Sequence, residues 1–431
     1  MKSTSSSSSS FHFSPVRCFF YLIGLVLIAL LVLILTPVHD SISQTKPLIE
    51  KIPQPGTNND NKLRTEGDQR NNVVSQIQTQ PPKTKPTIAY AITVTKDGPF
   101  VDGALVLGYA AKKFHSAAQG NPSAYQAELV AFVTKQVKTS REILTKFGWR
   151  IIERDLPVAI KDIENQDYAQ RMVNSGCCGA DEFLKLWAFT LTEYHRVVHL
   201  DMDSIVFKNM DELYNLDYEV LFTGDYNMIA GSPYPPAQGG FFVIRPSMET
   251  FREFQAIIRK GDHRPGSGWG GSHIGNFWGG QTIQGIIPYY YNILHPGKAL
   301  ELNRCQYNCM VDNPYHKGTT RCLDRQPTCQ DCRLADMQKV SSAHFTICQK
   351  PWTCTFHSNP NNKVLCEQFH RRWFDLRDEF ERLLSLDTSY RAAKTRYVDS
   401  RGMCRGYGDD KYLPVPVGSL TEQQLAKAAA L

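Results

Sequence analysis

From Thr87 onward the chain alternates short apolar runs with stretches of helical spacing, and this constrains the fold more than anything else in its 431 residues. Ile88-Ala89-Tyr90-Ala91-Ile92-Thr93-Val94 reads as a buried strand, and Lys96-Asp97-Gly98-Pro99 reads as a turn. Gly103 to Ala111 reads as a small-residue helix suited to close packing on a sheet. Ala127 to Val133 predicts a second strand, Ser140 to Phe147 a helix, and Trp149 to Glu153 a third strand. Asp181 to Tyr194 then sets Phe183, Leu184, Leu186, Trp187, Phe189 and Leu191 at helical spacing before the strand Val197 to Leu200. Such alternation predicts an α/β domain with a largely parallel sheet, and sheets of this kind bind ligands beyond the carboxyl ends of their strands.

The flanks have a different character. Residues 1–17 are a short tail with a Ser-rich run and two cations, Lys2 and Arg17. Cys18 to Thr36 then runs nineteen residues without a charge, long enough to cross a bilayer as one helix. No convincing cleavage site follows at Pro37-Val38-His39-Asp40, so the run predicts a transmembrane signal anchor rather than a removed signal peptide. The two preceding cations put the tail in the cytosol and the remainder in a lumen, a type II arrangement that fits the Golgi membrane best. Residues 37–86 are rich in Gln, Asn, Pro, Thr and Lys, too polar to bury a core, and predict a disordered stem. The folded domain is expected over 87–385, closed by a charged helix from Glu367 to Leu384 and followed by a polar tail, 386–431. A net charge of +6 with no basic block argues against nucleic acid as a partner.

Eleven of the twelve cysteines lie between Cys177 and Cys404, five of them in an insert at 300–335: Cys305, Cys309, Cys322, Cys329 and Cys332. In an oxidising lumen these predict disulfides of undetermined pairing, with at least one thiol left over. The spacing around Cys329-x-x-Cys332 makes a poor zinc module.

The strand Val197 to Leu200 ends in Asp201-Met202-Asp203 before the apolar pattern resumes at Ser204-Ile205-Val206. Two carboxylates at a buried strand end cost several kcal/mol without a partner. They suit a divalent cation, which takes hard oxygen ligands. Far downstream, His344-Phe345-Thr346-Ile347-Cys348-Gln349-Lys350-Pro351-Trp352 sets an imidazole and an ammonium six residues apart. His344 would add a nitrogen ligand, which favours manganese over calcium. Lys350 would set a point charge against phosphate oxygens. Together these groups describe a site for a metal-bound diphosphate leaving group.

Four stretches resemble glycogenin-type members of glycosyltransferase family 8: Thr93 to Phe100 with Gly103 to Gly108, Phe183 to Trp187, Val198 to Met210, and His344-Phe345 with Lys350-Pro351-Trp352. The resemblance implies a GT-A fold, a Rossmann-like and mostly parallel sheet, using manganese or another divalent cation and a UDP-sugar donor with retention at the anomeric carbon. It implies Asp201, Asp203 and His344 as metal ligands, with Met202 between them at the nucleotide. Lys350 would contact the diphosphate and Lys185 the nucleotide or donor sugar, while Val94, Asp97 and Phe100 would line the uridine pocket. The family's Gly-Gly-Asp-Gln-Gly stretch is matched to Gly279-Gly280-Gln281, with Gly280 in the aspartate's place and Gln281 kept. Gln238, in Gln238-Gly239-Gly240, takes the place of a family asparagine, and Asp225 is a substitute carboxylate for the sugar side.

The resulting expectation is a retaining hexosyltransferase acting on a glycan, glycolipid or similar acceptor, held in the lipid bilayer by one helix, with a homodimer left open. Its rival is a catalytically altered protein of the same fold that only binds glycan or nucleotide. The Gly266 to Gly271 loop reads as a lid or acceptor loop, and the Cys305 to Cys332 segment as a disulfide-stapled surface excursion.

Overall fold

The computed structural model describes residues 85–115, 122–176, 178–229, 232–355, 360–392 and 399–430. They fall in one of two units, Thr79–Leu431. The predicted cytosolic tail, the predicted anchor and nearly all of the predicted stem lie outside the described residues. Among the described residues no helix is long and apolar enough to cross a membrane.

In chain order the elements are β1 (Thr87–Val94), α1 (Phe100–His115), β2 (Gln126–Val133), α2 (Thr139–Lys146), β3 (Trp149–Glu153) and α3 (Gln166–Val173). A long 3₁₀ helix, Gly179–Thr190, leads into β4 (Arg196–Leu200), β5 (Ser204–Val206), β6 (Val220–Gly224), β7 (Ala237–Ile244) and α4 (Met248–Lys260). Then come β8 (His263–Arg264), β9 (Gly268–Trp269), α5 (Ile283–Tyr289), β10 (Ala299–Glu301), β11 (Ser342–His344), α6 (Pro360–Leu383) and α7 (Glu422–Ala430).

The main sheet has seven strands in the order β10-β6-β7-β4-β1-β2-β3. Neighbours pair in parallel except at β7, which runs against both β4 and β6. The predicted mostly parallel α/β sheet is therefore present. Successive side chains of β1 point to opposite faces. Ile88, Tyr90, Ile92 and Val94 pack with Leu105 and Leu107 of α1, whereas Ala89 and Ala91 face Phe183, Leu186 and Phe254 on the other side. Burial on both faces accounts for the unbroken apolar run in β1.

The Asp181 to Tyr194 segment differs from expectation in being 3₁₀ over Gly179–Thr190 rather than α-helical. At three residues per turn, residues i and i+3 eclipse. Phe183, Leu186 and Phe189 thus form one buried row, while Glu182 and Lys185 share another face and pair at 2.9 Å.

Residues 399–416, read from sequence as part of a polar tail, pack into the domain. Asp102 in α1 is buried and needs donors. The Tyr412 hydroxyl donates to it at 2.7 Å and the Val415 N–H at 2.8 Å. Among the described residues four disulfides join Cys305–Cys332, Cys322–Cys329, Cys348–Cys366 and Cys354–Cys404, which rules out a zinc site at Cys329 and Cys332. Cys309 is a buried free thiol, and Cys177 lies outside the described residues. The Cys354–Cys404 bond closes a loop of 50 residues and fixes the tail to the site-bearing segment. Loop-closure entropy predicts that replacing both cysteines by serine costs about 4 kcal/mol. Chemical denaturation of the double variant measures this.

Candidate metal and nucleotide site

The carboxyl ends of β1 and β4 lie side by side, because β1 pairs with β4 on one edge and β2 on the other. A cleft of about 420 Å³ opens there. Asp201 leaves β4 with its N–H donating to the Gly240 carbonyl at 3.1 Å, and the turn closes when the Ser204 N–H donates to the Asp201 carbonyl at 3.0 Å. β5 then pairs antiparallel with β11, setting Ser204 opposite His344. The Phe345 N–H donates to the Asp203 carbonyl at 2.8 Å. Residues 140 positions apart in sequence are thereby locked into one short ribbon.

Each carboxylate has one oxygen on a lysine and another toward the imidazole. Asp201 Oδ1 lies 2.8 Å from Lys185 Nζ, and its Oδ2 lies 3.9 Å from His344 Nε2. Asp203 Oδ2 lies 2.7 Å from Lys350 Nζ, and its Oδ1 lies 3.1 Å from His344 Nε2. One ligand atom from each of Asp201, Asp203 and His344 falls within 4.8 Å of the others. Two hard oxygens and one imidazole nitrogen, open to a cleft on one side, fit a divalent cation with free coordination positions. Burial alone would raise the Asp203 carboxyl, but His344 and Lys350 overcome it and hold it below the ordinary carboxylate range. Burial opposes the Lys185 charge, yet Asp201 and Glu182 hold its ammonium well above the usual lysine range. Lys185 also donates to the Gly239 carbonyl at 3.0 Å. Gly240 gives the imidazole its room, since a Cβ there would lie 2.4 Å from His344 Cε1.

Met202, Gln238, Phe100, Lys185 and Lys350 line the cleft with the three ligand candidates. Val94 does not: its side chain is buried in the core, and its neighbours Thr93, Thr95 and Lys96 line the cleft instead. Asp97 is turned to another task, accepting the backbone N–H of Lys138 at 3.0 Å and of Ser140 at 2.7 Å at the start of α2. Gln281 faces a separate cavity of about 300 Å³ beside Arg171, His263 and Trp278. The glutamine-glycine pair that reaches the cleft is Gln284-Gly285, preceded by buried Ile283. Gly280 packs on the Gly275 backbone, where a Cβ would lie 2.3 Å from the carbonyl oxygen, so position 280 has no room for a carboxylate.

Asp225 is buried outside the cleft lining. Burial and then the Asp312 charge push its carboxyl up to about 6. A carboxyl raised in the folded state favours folding below its unfolded pKa near 4, and that contribution is lost as pH rises through about 6. Asp225→Asn is therefore expected to stabilise the protein at pH 7.5 by about 2 kcal/mol and to change little at pH 4. Thermal melts of both proteins at the two pH values measure this.

Residue patterns in the sequence left several residues in or behind the cleft unmarked. Glu182 carried a usable signal, its i,i+3 spacing to Lys185. Gln284 was hidden by the nearer Gln281, and Asn308 carried no local signal at all.

No family model matches the chain. Among curated proteins it is similar to human Glycogenin-2, at 26% identity over 207 residues, or 47% of this chain and 36% of that protein. Rabbit (Oryctolagus cuniculus) Glycogenin-1 is 23% identical over 205 residues, 47% of this chain and 55% of that protein. A putative glucuronosyltransferase of Arabidopsis thaliana, PGSIP7, is 39% identical over 69 residues, 16% of this chain and 12% of that protein. The chain thus spans from about a third to about half of the length of the glycogenins it matches. Among solved structures, partial likenesses include the bifunctional glycosyltransferase WbbM (TM-score 0.41, 13% identity, 69% of this chain and 50% of that one). The galactosyltransferase LgtC with donor and acceptor sugar analogs is another (TM-score 0.37, 11% identity, 68% of this chain and 95% of that one).

Proposed function

We infer that this glycogenin-like chain is a metal-dependent glycosyltransferase that moves a hexosyl group from a UDP-sugar to a glycan, glycolipid or similar acceptor, with retention at the anomeric carbon. The observation that carries this reading is the convergence of Asp201, Asp203 and His344 with Lys350 at the carboxyl ends of β1 and β4. Asp201, Asp203 and His344 would hold the cation, which when bound supplies Lewis acidity to the diphosphate. Lys350 Nζ lies on the cleft side of Asp203 and adds a positive point charge for phosphate oxygens. Lys185, buried and held in its charged form by Asp201 and Glu182, opposes the burial that raises the Asp201 carboxyl, and leaves the outer oxygen of Asp201 toward His344. Gln238 and Gln284 offer amides to the sugar side.

In the transfer, the bond from the anomeric carbon to the β-phosphate oxygen breaks and the electron pair leaves on UDP. The acceptor hydroxyl oxygen forms the new bond on the same face, and its proton passes to the departing phosphate oxygen. That route requires no enzymatic nucleophile, which accords with the absence of room for a carboxylate at position 280. The uncharged run at 18–36 and the four disulfides support a type II anchor with the domain in an oxidising lumen, which we assign to the Golgi.

The full-length chain incubated with manganese and a panel of UDP-glucose, UDP-galactose, UDP-xylose and UDP-glucuronate tests the reading. Release of UDP from at least one donor, with sugar passed to an acceptor glycoside, is expected. Tight UDP binding without turnover of any donor would establish the binding-only alternative.

A further inference from the structure

We propose that Asn308, carried by the Cys-rich insert, orients the Gln238 amide and so decides which hydrogen-bonding group the cleft presents to the donor sugar. This rests on the reading of the cleft as the donor site. Gln238 Oε1 accepts the Gly240 N–H at 2.6 Å and an Asn308 Nδ2–H at 3.0 Å. Two N–H donors on one oxygen permit a single orientation, since a flipped amide would face its own NH₂ against both. The Gln238 Nε2 hydrogens find no partner in the protein among the described residues and are left to the cleft that Gln238 lines. The sugar atom that meets Gln238 is therefore a hydrogen-bond acceptor, a hydroxyl or carboxylate oxygen.

Asn308 is itself tightly placed. It is 2% exposed, adopts φ +55°, and donates a second time to Thr223 Oγ1 at 3.1 Å. Its own Oδ1 is buried without a partner, so nothing but Gln238 and Thr223 selects its orientation. The segment bearing it runs beside β11: the Asn308 N–H donates to Ser342 Oγ at 2.8 Å, and the His344 N–H donates to the Cys309 carbonyl at 3.1 Å. Cys305–Cys332 closes the insert three residues upstream. The insert expected to be a surface excursion thus supports both the imidazole and the sugar-side amide.

An aspartate at position 308 cannot donate to Gln238 Oε1 when ionised and instead attracts the Gln238 NH₂, turning its carbonyl toward the sugar. The test compares the affinity of full-length protein for intact UDP-sugar with its affinity for UDP alone, both with manganese, by calorimetry. For the donor that wild type binds best, Asn308→Asp should weaken UDP-sugar binding about 10- to 100-fold and leave UDP binding within about twofold. Gln238→Glu should lose a similar factor, and the double variant should be no worse than Gln238→Glu alone. Asn308→Ser, which keeps a donor hydroxyl, should lose less and serves if Asn308→Asp does not fold. Equal loss of UDP and UDP-sugar affinity, no loss at all, or multiplying effects in the double variant would overturn the proposal. Because the readout is binding, a wild type that binds UDP-sugar and never turns it over fails the catalytic reading alone.

Discussion

Asp203→Ala is expected to abolish manganese-dependent UDP binding, with affinity falling at least about 100-fold and transfer falling in step. Asp203 supplies one of three ligand atoms and also anchors both His344 Nε2 and Lys350 Nζ. Without it the imidazole and ammonium lose their common partner, and the remaining set of one carboxylate and one imidazole binds a cation weakly. Losing a single group that stabilises charge on a leaving oxygen typically costs 10²–10³ in rate, and here a ligand and the orientation of an imidazole and an ammonium go together. Fold stability should change far less, because Asp203 stands in a turn at the cleft and its backbone contact to Phe345 is kept. Binding of UDP across a manganese titration, beside a thermal melt, separates the two effects.

Lys185→Met is expected to act mainly on stability, by about 3 kcal/mol at pH 7.5. The lysine is buried between Glu182 and Asp201, whose side chains are 11% and 28% exposed. Removing the cation leaves two like charges facing each other without the ammonium between them, the costly way to break a buried pair. The partial exposure of Asp201 holds the figure at the lower end of that range. Adding Glu182→Gln should recover part of the loss, and lowering the pH to 5 should narrow the gap as Asp201, whose carboxyl burial raises, takes up a proton. Urea unfolding of the wild type, the single variant and the double variant at both pH values measures this. A loss that is the same at pH 5 and unaffected by Glu182→Gln would mean that Lys185 acts through packing alone.

The sheet was legible because its strands are apolar on both faces, so β1 through β4 stand out as short runs between turns. The cluster of Asp201, Asp203 and His344 was legible for a related reason: charges at a strand end and an imidazole near Pro-Trp are conspicuous against apolar surroundings. What stayed hidden depends on distance in the chain. Gln284 reaches the cleft beyond the point where Gly280 packs on Gly275, a contact that no local pattern announces. Asp97 looked like a ligand residue because of its neighbours, yet the open N–H groups at the start of α2 claim its carboxylate. The 3₁₀ course of Gly179–Thr190 shares its apolar spacing with an α-helix, and only packing of Phe183, Leu186 and Phe189 against the sheet distinguishes them. Asn308 lies in a stretch that reads as ordinary loop, and tertiary pairing with β11 brings it to Gln238.

On the proposed function, Asp201, Asp203 and His344 hold a cation through which the chain grips a nucleoside diphosphate. Calorimetric titration of UDP into the full-length protein, with manganese and then with excess EDTA, tests it most directly. The predicted result is saturable binding of one UDP per chain with manganese and its loss on chelation. UDP binding that survives EDTA undiminished, or its absence at millimolar manganese, would contradict the account.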